Sequence, residues 1–174
     1  MIPLDLYEAI KARSSIRKYK LDPVPEDELK RILIAARMAP TAENYQPWKV
    51  VVVSDEDIKR RLVPACNNQR FVAEAPLVLV ACGLPDEAYP IMGGYMNSYP
   101  VDVAIVMDHL MLAAAAEGLG TCWIGSFKEE KVAEAIGASS EAKVVALTHI
   151  GFPAEKPERT DRKNLAELVS YNSY

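Results

Sequence analysis

Arg13, Ser14, Ser15 and Arg17 set two guanidiniums and two hydroxyls within five residues. Arg offers a rigid fork of donors that matches phosphate oxygens, and Ser completes such a shell with little bulk, so this spacing can grip one anionic group. A solvated polar turn is the competing reading, because both residue types are commonly exposed. A second candidate for ligand reading is Ala39 to Trp48. There Pro40 and Pro47 stiffen the backbone, Thr41 offers a hydroxyl, Asn44 and Gln46 offer amides, and Tyr45 and Trp48 offer flat apolar faces. The same composition also makes an ordinary helix-to-strand turn.

The run Gly118-Leu119-Gly120-Thr121-Cys122-Trp123-Ile124-Gly125 has the outline of a dinucleotide fingerprint. It fails that comparison, because Trp123 holds the third glycine position and the run follows a helix pattern instead of a strand. A backbone that approaches a ligand closely is the better functional reading, and a helix C-cap at Gly118 followed by a buried strand is compatible with it. Asn67-Asn68-Gln69-Arg70 gathers amides, and Arg159, Arg162 and Lys163 charge the C-terminal tail. Each is weak alone, since charge in a polar tail is ordinarily solvated. Hydrolase chemistry finds no G-x-S-x-G and only His109 and His149 as bases, with His109 read as structural inside an apolar helix. A Cys122 and His149 pair lacks a local signature. Cys66, Cys82 and Cys122 are odd in number without a C-x-x-C pair, which fits reduced structural thiols and predicts no metal site.

The elements that must position these groups alternate between helix and short strand. Leu6 and Ile10 behind an Asp5 cap predict a first helix, and Leu29, Ile32, Leu33 and Ala36 after Pro25 predict a second. A strand follows at Lys49 to Val53. Ser54 and Asp55 then cap a helix with Ile58 and Leu62 inward, and Leu77 to Ala81 reads as a buried strand. Val101 to Glu117 is apolar almost all round and is expected to be the central helix of the fold or of a dimer. A helix at Glu129 to Ile136 leads to a strand at Val144 to Gly151. Leu165, Leu168, Val169 and Tyr171 in the tail need burial, for which a neighbouring subunit is the natural place.

The chain has 174 residues, half of them apolar and a quarter charged, so one domain over residues 1–174 is expected. A net charge of −4 gives no footprint for nucleic acid or an anionic membrane. Met1 to Glu8 carries no positive n-region, and acids interrupt every long apolar run, which together predict a cytoplasmic protein.

In order along the chain, Arg13-Ser14-Ser15-Ile16-Arg17-Lys18-Tyr19, Ala39-Pro40-Thr41 to Asn44, Gln46-Pro47-Trp48, Gly118 to Gly125 and Arg162-Lys163-Asn164-Leu165 resemble the nitroreductase family of FMN-dependent oxidoreductases. The resemblance implies an α+β, three-layer α/β/α sandwich with a mostly antiparallel central sheet. It implies an interlocked homodimer, FMN on each side of the interface, and the tail from about residue 153 packing on the partner. NAD(P)H would be the co-substrate and a small molecule the electron acceptor. Arg13 and Ser15 would hold the FMN phosphate and ribityl chain, with Ser14 nearby and Arg162 and Lys163 adding contacts from the tail. Arg17 would reach the pyrimidine edge and stabilise negative charge there. Backbone N–H groups at Ile124 or Gly125, beside Trp123, would face flavin N5, and Asn68 with Gln69 the opposite polar edge. Pro40, Thr41, Ala42, Asn44 and Gln46 would approach the flavin held mainly by the other subunit. Thr41 stands where Ser is common, Asn164 replaces a frequent Pro, and Glu43 adds a negative charge. Tyr89, Met92, Tyr95, Met96 and Tyr99 could line an aromatic substrate pocket or pack on a dimer. A reductive dehalogenase, a flavin-fragmenting enzyme and a storage or sensor protein remain alternatives on the same fold.

Overall fold

The computed structural model describes residues 5–158 and 160–174. The amino-terminal segment behind the localisation reading and Arg159 of the tail cluster therefore lie partly or wholly outside the described residues.

Asp5 caps the first helix, α1 (Leu6–Ala12), its carboxylate accepting the Glu8 N–H at 2.9 Å. Pro25 occupies the cap position of α2 (Glu26–Arg37), where a missing N–H costs nothing. Strand β1 (Trp48–Val53) leads to α3 (Glu56–Ala65), which Asp55 caps through the Ile58 N–H. Leu62 faces inward and fully buried as expected, and Lys59, which the apolar pattern passed over, is also buried. Its ammonium is satisfied by Glu56 and by the Ala75 carbonyl at 3.0 Å.

Strand β2 (Leu77–Gly83) alternates sides: Val78, Val80 and Cys82 join the core under α3 and α5 (Glu129–Ile136), while Leu79 and Ala81 face the long helix α4 (Tyr99–Ala116). Both faces are covered, which is why the strand reads as a continuous apolar run. With β3 (Gly120–Ile124) and β4 (Lys143–Gly151) the sheet has the order β1-β2-β4-β3, every pairing antiparallel. Helices α2 and α4 cover one face and α3 and α5 the other, giving the α/β/α sandwich.

Helix α4 starts at Tyr99, two residues before the apolar run, because Pro100 is tolerated in a first turn. By length and composition it is apolar enough to cross a bilayer, yet eight of its residues are buried inside the fold. It is the core helix. Gly118, at φ 78°, then turns the chain into β3. The tail carries a short helix α6 (Leu165–Leu168), at whose start the Glu167 carboxylate accepts the Asn164 N–H at 2.8 Å in a capping box. Leu165, Leu168, Val169 and Tyr171 are exposed on the single chain.

Candidate active site

Arg13 ends α1, its N–H closing on the Ala9 carbonyl, and the next residues leave the helix as a ribbon beside the sheet. Ser15 bridges Thr121 of β3 in parallel, the Ile16 N–H bonds the Thr121 carbonyl at 2.9 Å, and Tyr19 bridges Pro153 beyond β4. The ribbon can lie this close because Gly120 has no side chain. A Cβ there would meet Ile16 carbon atoms at 2.8–3.0 Å. Gly120→Ala is therefore expected to destabilise the protein by about 1–3 kcal/mol, read as a lower Tm.

The ribbon borders a cavity of about 710 Å³ lined by Arg13, Ser14, Ser15 and Arg17, by Asp108 and Leu112 of α4, and by Thr160 and Arg162 of the tail. That size suits a cofactor-sized ligand. Lys11 and Glu158 also reach it, so four basic side chains outnumber two acidic ones around hydroxyl donors, a set suited to phosphate. Arg162 is steadied by the Thr160 hydroxyl at 3.0 Å. Lys163 is exposed and lies outside this lining. A smaller cleft of about 230 Å³ shares Arg13 and Ser14 and runs along Gly118 to Thr121.

The amide cluster meets the end of β3. Gln69 Nε2 donates to the carbonyls of Cys66 and Ser126, both at 2.9 Å, and Asn67 Nδ2 donates to Ser126 Oγ at 3.0 Å. Ser126 directly follows Gly125, so Asn68, Gln69 and the Trp123–Gly125 segment are held in one corner. Both Gln69 amide protons are spent, which leaves its carbonyl oxygen as the free function. Trp123 is exposed while its strand neighbours Cys122 and Ile124 are buried.

The loop from Ala39 to Trp48 is built differently. Glu43, Asn44 and Gln46 adopt φ of 51°, 57° and 54°, a left-handed region that costs residues with a Cβ about 1–2 kcal/mol. Thr41 Oγ1 accepts the Gln46 N–H at 3.0 Å, and the buried Asp102 carboxylate accepts the Ala42 N–H at 2.9 Å and the Ser98 hydroxyl at 2.7 Å. The Thr41 hydroxyl thus shapes the loop, and Trp48, half-buried, packs against the core. Pro40, Thr41, Ala42, Asn44 and Gln46 do not line the cavity at Arg13.

Behind the ribbon, Tyr19 Oη donates to the Ile16 carbonyl at 2.7 Å and lies 2.9 Å from His149 Nδ1. His149 is fully buried, and burial, followed by the Arg17 charge, pushes its pKa down to about 4. Burial first, then Cys122 and Glu155, push the Tyr19 phenol well above its ordinary value. Cys122 lies opposite His149 in the ladder, yet its sulfur approaches the Trp123 carbonyl at 3.8 Å, so no thiol–imidazole dyad forms. Cys66 and Cys82 are buried with pKa values raised to about 11, as structural thiols should be. His109 is only half-buried, its Nδ1 3.0 Å from the Ile105 carbonyl.

The sequence profile of the Nitroreductase family matches residues 10–94 and 66–152. This chain belongs to the nitroreductase family. A Thermus thermophilus protein named NADH dehydrogenase is 34% identical over 195 residues, covering 95% of each chain. A nitroreductase family protein from Clostridium difficile superposes with a TM-score of 0.89 at 28% identity, over 98% of this chain and 100% of that one. An NADPH:FMN oxidoreductase from Vibrio harveyi, complexed with NAD+, does so with a TM-score of 0.88 at 26% identity, over 98% of this chain and 78% of that one. The α+β sandwich is thus the nitroreductase fold, and the general activity that of a nitroreductase-like oxidoreductase.

Within this chain, Arg13, Ser14, Ser15, Arg17 and Arg162 come together in one cavity, and Asn68, Gln69, Trp123, Ile124 and Gly125 in one corner. Tyr99 is half-buried and packs against Gly83, where a Cβ would strike its ring. Tyr95 is largely exposed on a turn closed by the Met92–Met96 bridge. Glu155 and Asp102 are among the residues that went unread in the sequence. Glu155 accepts the Arg17 and Lys18 N–H groups at 2.7 and 3.2 Å, and Asp102 ties the Ala42 loop to α4. Asp102 carried a signal, an acid four residues after Ser98 in an otherwise apolar stripe; Glu155 carried none.

Proposed function

We propose that this protein is an FMN-dependent oxidoreductase that takes reducing equivalents from NADH or NADPH and passes them to a small aromatic, quinone or nitro-type acceptor by a ping-pong mechanism. The observation that carries the reading is the gathering of Arg13, Ser14, Ser15, Arg17 and Arg162 around one cavity beside the glycine-rich strand. FMN supplies two-electron transfer chemistry when bound, so the protein needs no nucleophile of its own.

Arg13, Ser15 and Arg162 bind the phosphate and ribityl end, with Ser14 and Lys163 nearby. Arg17 places a fixed positive charge at the pyrimidine edge, where a partly dry site strengthens it. Gln69, through its carbonyl oxygen, and Asn68 would hold the ring's other polar edge, and the backbone at Ile124 and Gly125 would orient the reactive face.

The protein works as a cytoplasmic homodimer of single-domain subunits. Support comes from the exposed Leu165, Leu168, Val169 and Tyr171 and from the fact that no residue of the Ala39–Trp48 loop lines its own Arg13 cavity. Pro40, Thr41, Ala42, Asn44 and Gln46 then complete the partner's site, so retained flavin should fall as the protein is diluted. The acceptor class is tested by reducing the flavoprotein anaerobically and mixing it with nitroaromatics, quinones, enones and free flavin in a stopped-flow instrument. Nitroaromatics or quinones should reoxidise it fastest; reoxidation by none of the four classes overturns the reading of the acceptor.

A further inference from the structure

The peptide unit between Ile16 and Arg17 is held at both of its polar atoms by side chains, one from three residues along the chain and one from 138 residues away. The Ile16 carbonyl accepts the Tyr19 hydroxyl at 2.7 Å, and the Arg17 N–H donates to Glu155 Oε1 at 2.7 Å. Proton counting extends the first contact. Tyr19 has one hydroxyl proton, and a carbonyl can only accept, so that proton lies toward Ile16. The 2.9 Å contact to His149 is then made by an imidazole Nδ1–H donating to the Tyr19 oxygen. This sets the tautomer and leaves His149 Nε2 as a bare lone pair, which is buried without a partner. His149 in turn meets Phe71 edge-on, ring centres 5.1 Å apart, and Arg17 places its guanidinium 5.8 Å from the centre of the Phe71 ring. Ile16, Tyr19, His149, Phe71 and Arg17 thus close a ring of contacts that starts and ends at one peptide bond.

We infer that Tyr19, His149, Phe71 and Glu155 are positioning residues for Arg17, fixing its backbone from both sides of the Ile16–Arg17 peptide and its guanidinium through the Phe71 face. The inference rests on the reading above, in which Arg17 serves the pyrimidine edge of the flavin. An unbraced Arg17 keeps its charge but loses its place, and a charge aimed at a developing anion loses value steeply when misplaced. A merely structural Tyr19 or Glu155 would change stability without changing what Arg17 does. The brace is also economical of charge, because Tyr19 and His149 are held neutral and Glu155 spends its oxygen on backbone donors.

The test is a set of double-mutant cycles read by the midpoint potential of bound FMN and by imidazole nitrogen NMR of the apoprotein. NMR should show His149 as the Nδ1–H tautomer in the parent, and Tyr19→Phe should shift both ring nitrogens. Arg17→Ala should lower the potential, and Tyr19→Phe and Glu155→Ala should each lower it by part of that amount, about 30 mV for a tenfold change in a two-electron couple. Glu155→Gln removes the same charge as Glu155→Ala but keeps an acceptor, and it should recover most of the potential. In the Arg17→Ala background Tyr19→Phe should add nothing. Equal shifts from Tyr19→Phe with and without Arg17, an Nε2–H tautomer, or equal potentials in Glu155→Gln and Glu155→Ala overturn the brace. An unchanged potential in Arg17→Ala overturns the assignment of Arg17 under Proposed function, so the two failures are told apart.

Discussion

Arg13→Ala is expected to weaken FMN binding by roughly a hundredfold, corresponding to about 2.7 kcal/mol and in line with losing two charge-assisted hydrogen bonds to a phosphate. Among the described residues no hydrogen bond or ion pair engages the Arg13 side chain, so its removal should leave apoprotein stability nearly untouched. Arg13→Lys should restore only part of the affinity, because an ammonium supplies the charge without the planar fork. Arg17→Ala should divide the effects the other way, slowing flavin reduction by nicotinamide more than it weakens binding. Fluorescence titration of FMN and anaerobic stopped-flow reduction separate these outcomes. If both Ala variants retained and reduced flavin like the parent, the cavity bordered by the Arg13–Arg17 ribbon would not be the FMN site.

The second large effect is on stability at mildly acid pH. His149 titrates near 6.5 in an unfolded chain and near 4 when folded, so between these values the unfolded chain holds the extra proton. Stability therefore falls as pH drops through that window, by about 2 kcal/mol from pH 6.5 to 5. Protonation also puts a donor on Nε2, which has no buried acceptor to receive it. Chemical denaturation across this range should show the slope in the parent and its loss in His149→Gln, whose stability at pH 7.5 is lower. A parallel slope in both proteins would mean that other groups carry the acid sensitivity.

The helices and strands were legible because their signals are local. Asp55 three residues before Ile58, Pro25 ahead of an amphipathic run, and β2's unbroken apolar stretch each state their role within a few residues. The strand order was not legible, since β2 chooses β4 as a neighbour through packing between segments 60 or more residues apart in the chain. The candidate site divides along the same line. The Arg13–Arg17 spacing suggested a phosphate grip, and the structure puts those residues on one cavity with Arg162 from the tail. Glu155 could not be found this way, because an acid 138 residues from the N–H it holds looks like any other surface acid. Lys59 was missed because a buried Lys breaks the apolar pattern that marks the inner face. The Thr41 and Gln46 side chains, whose types suit a ligand, are partly spent on keeping their own loop in a left-handed shape.

Reconstitution of the protein with FMN, followed by anaerobic mixing with NADH and with NADPH, tests the oxidoreductase assignment most directly. The protein should bind FMN and turn yellow, and at least one of the two nicotinamides should bleach the flavin absorbance within the dead time of manual mixing. Flavin that stays bound and oxidised with both reductants points instead to a storage or sensor protein, and a chain that takes up no FMN overturns the flavoenzyme reading altogether.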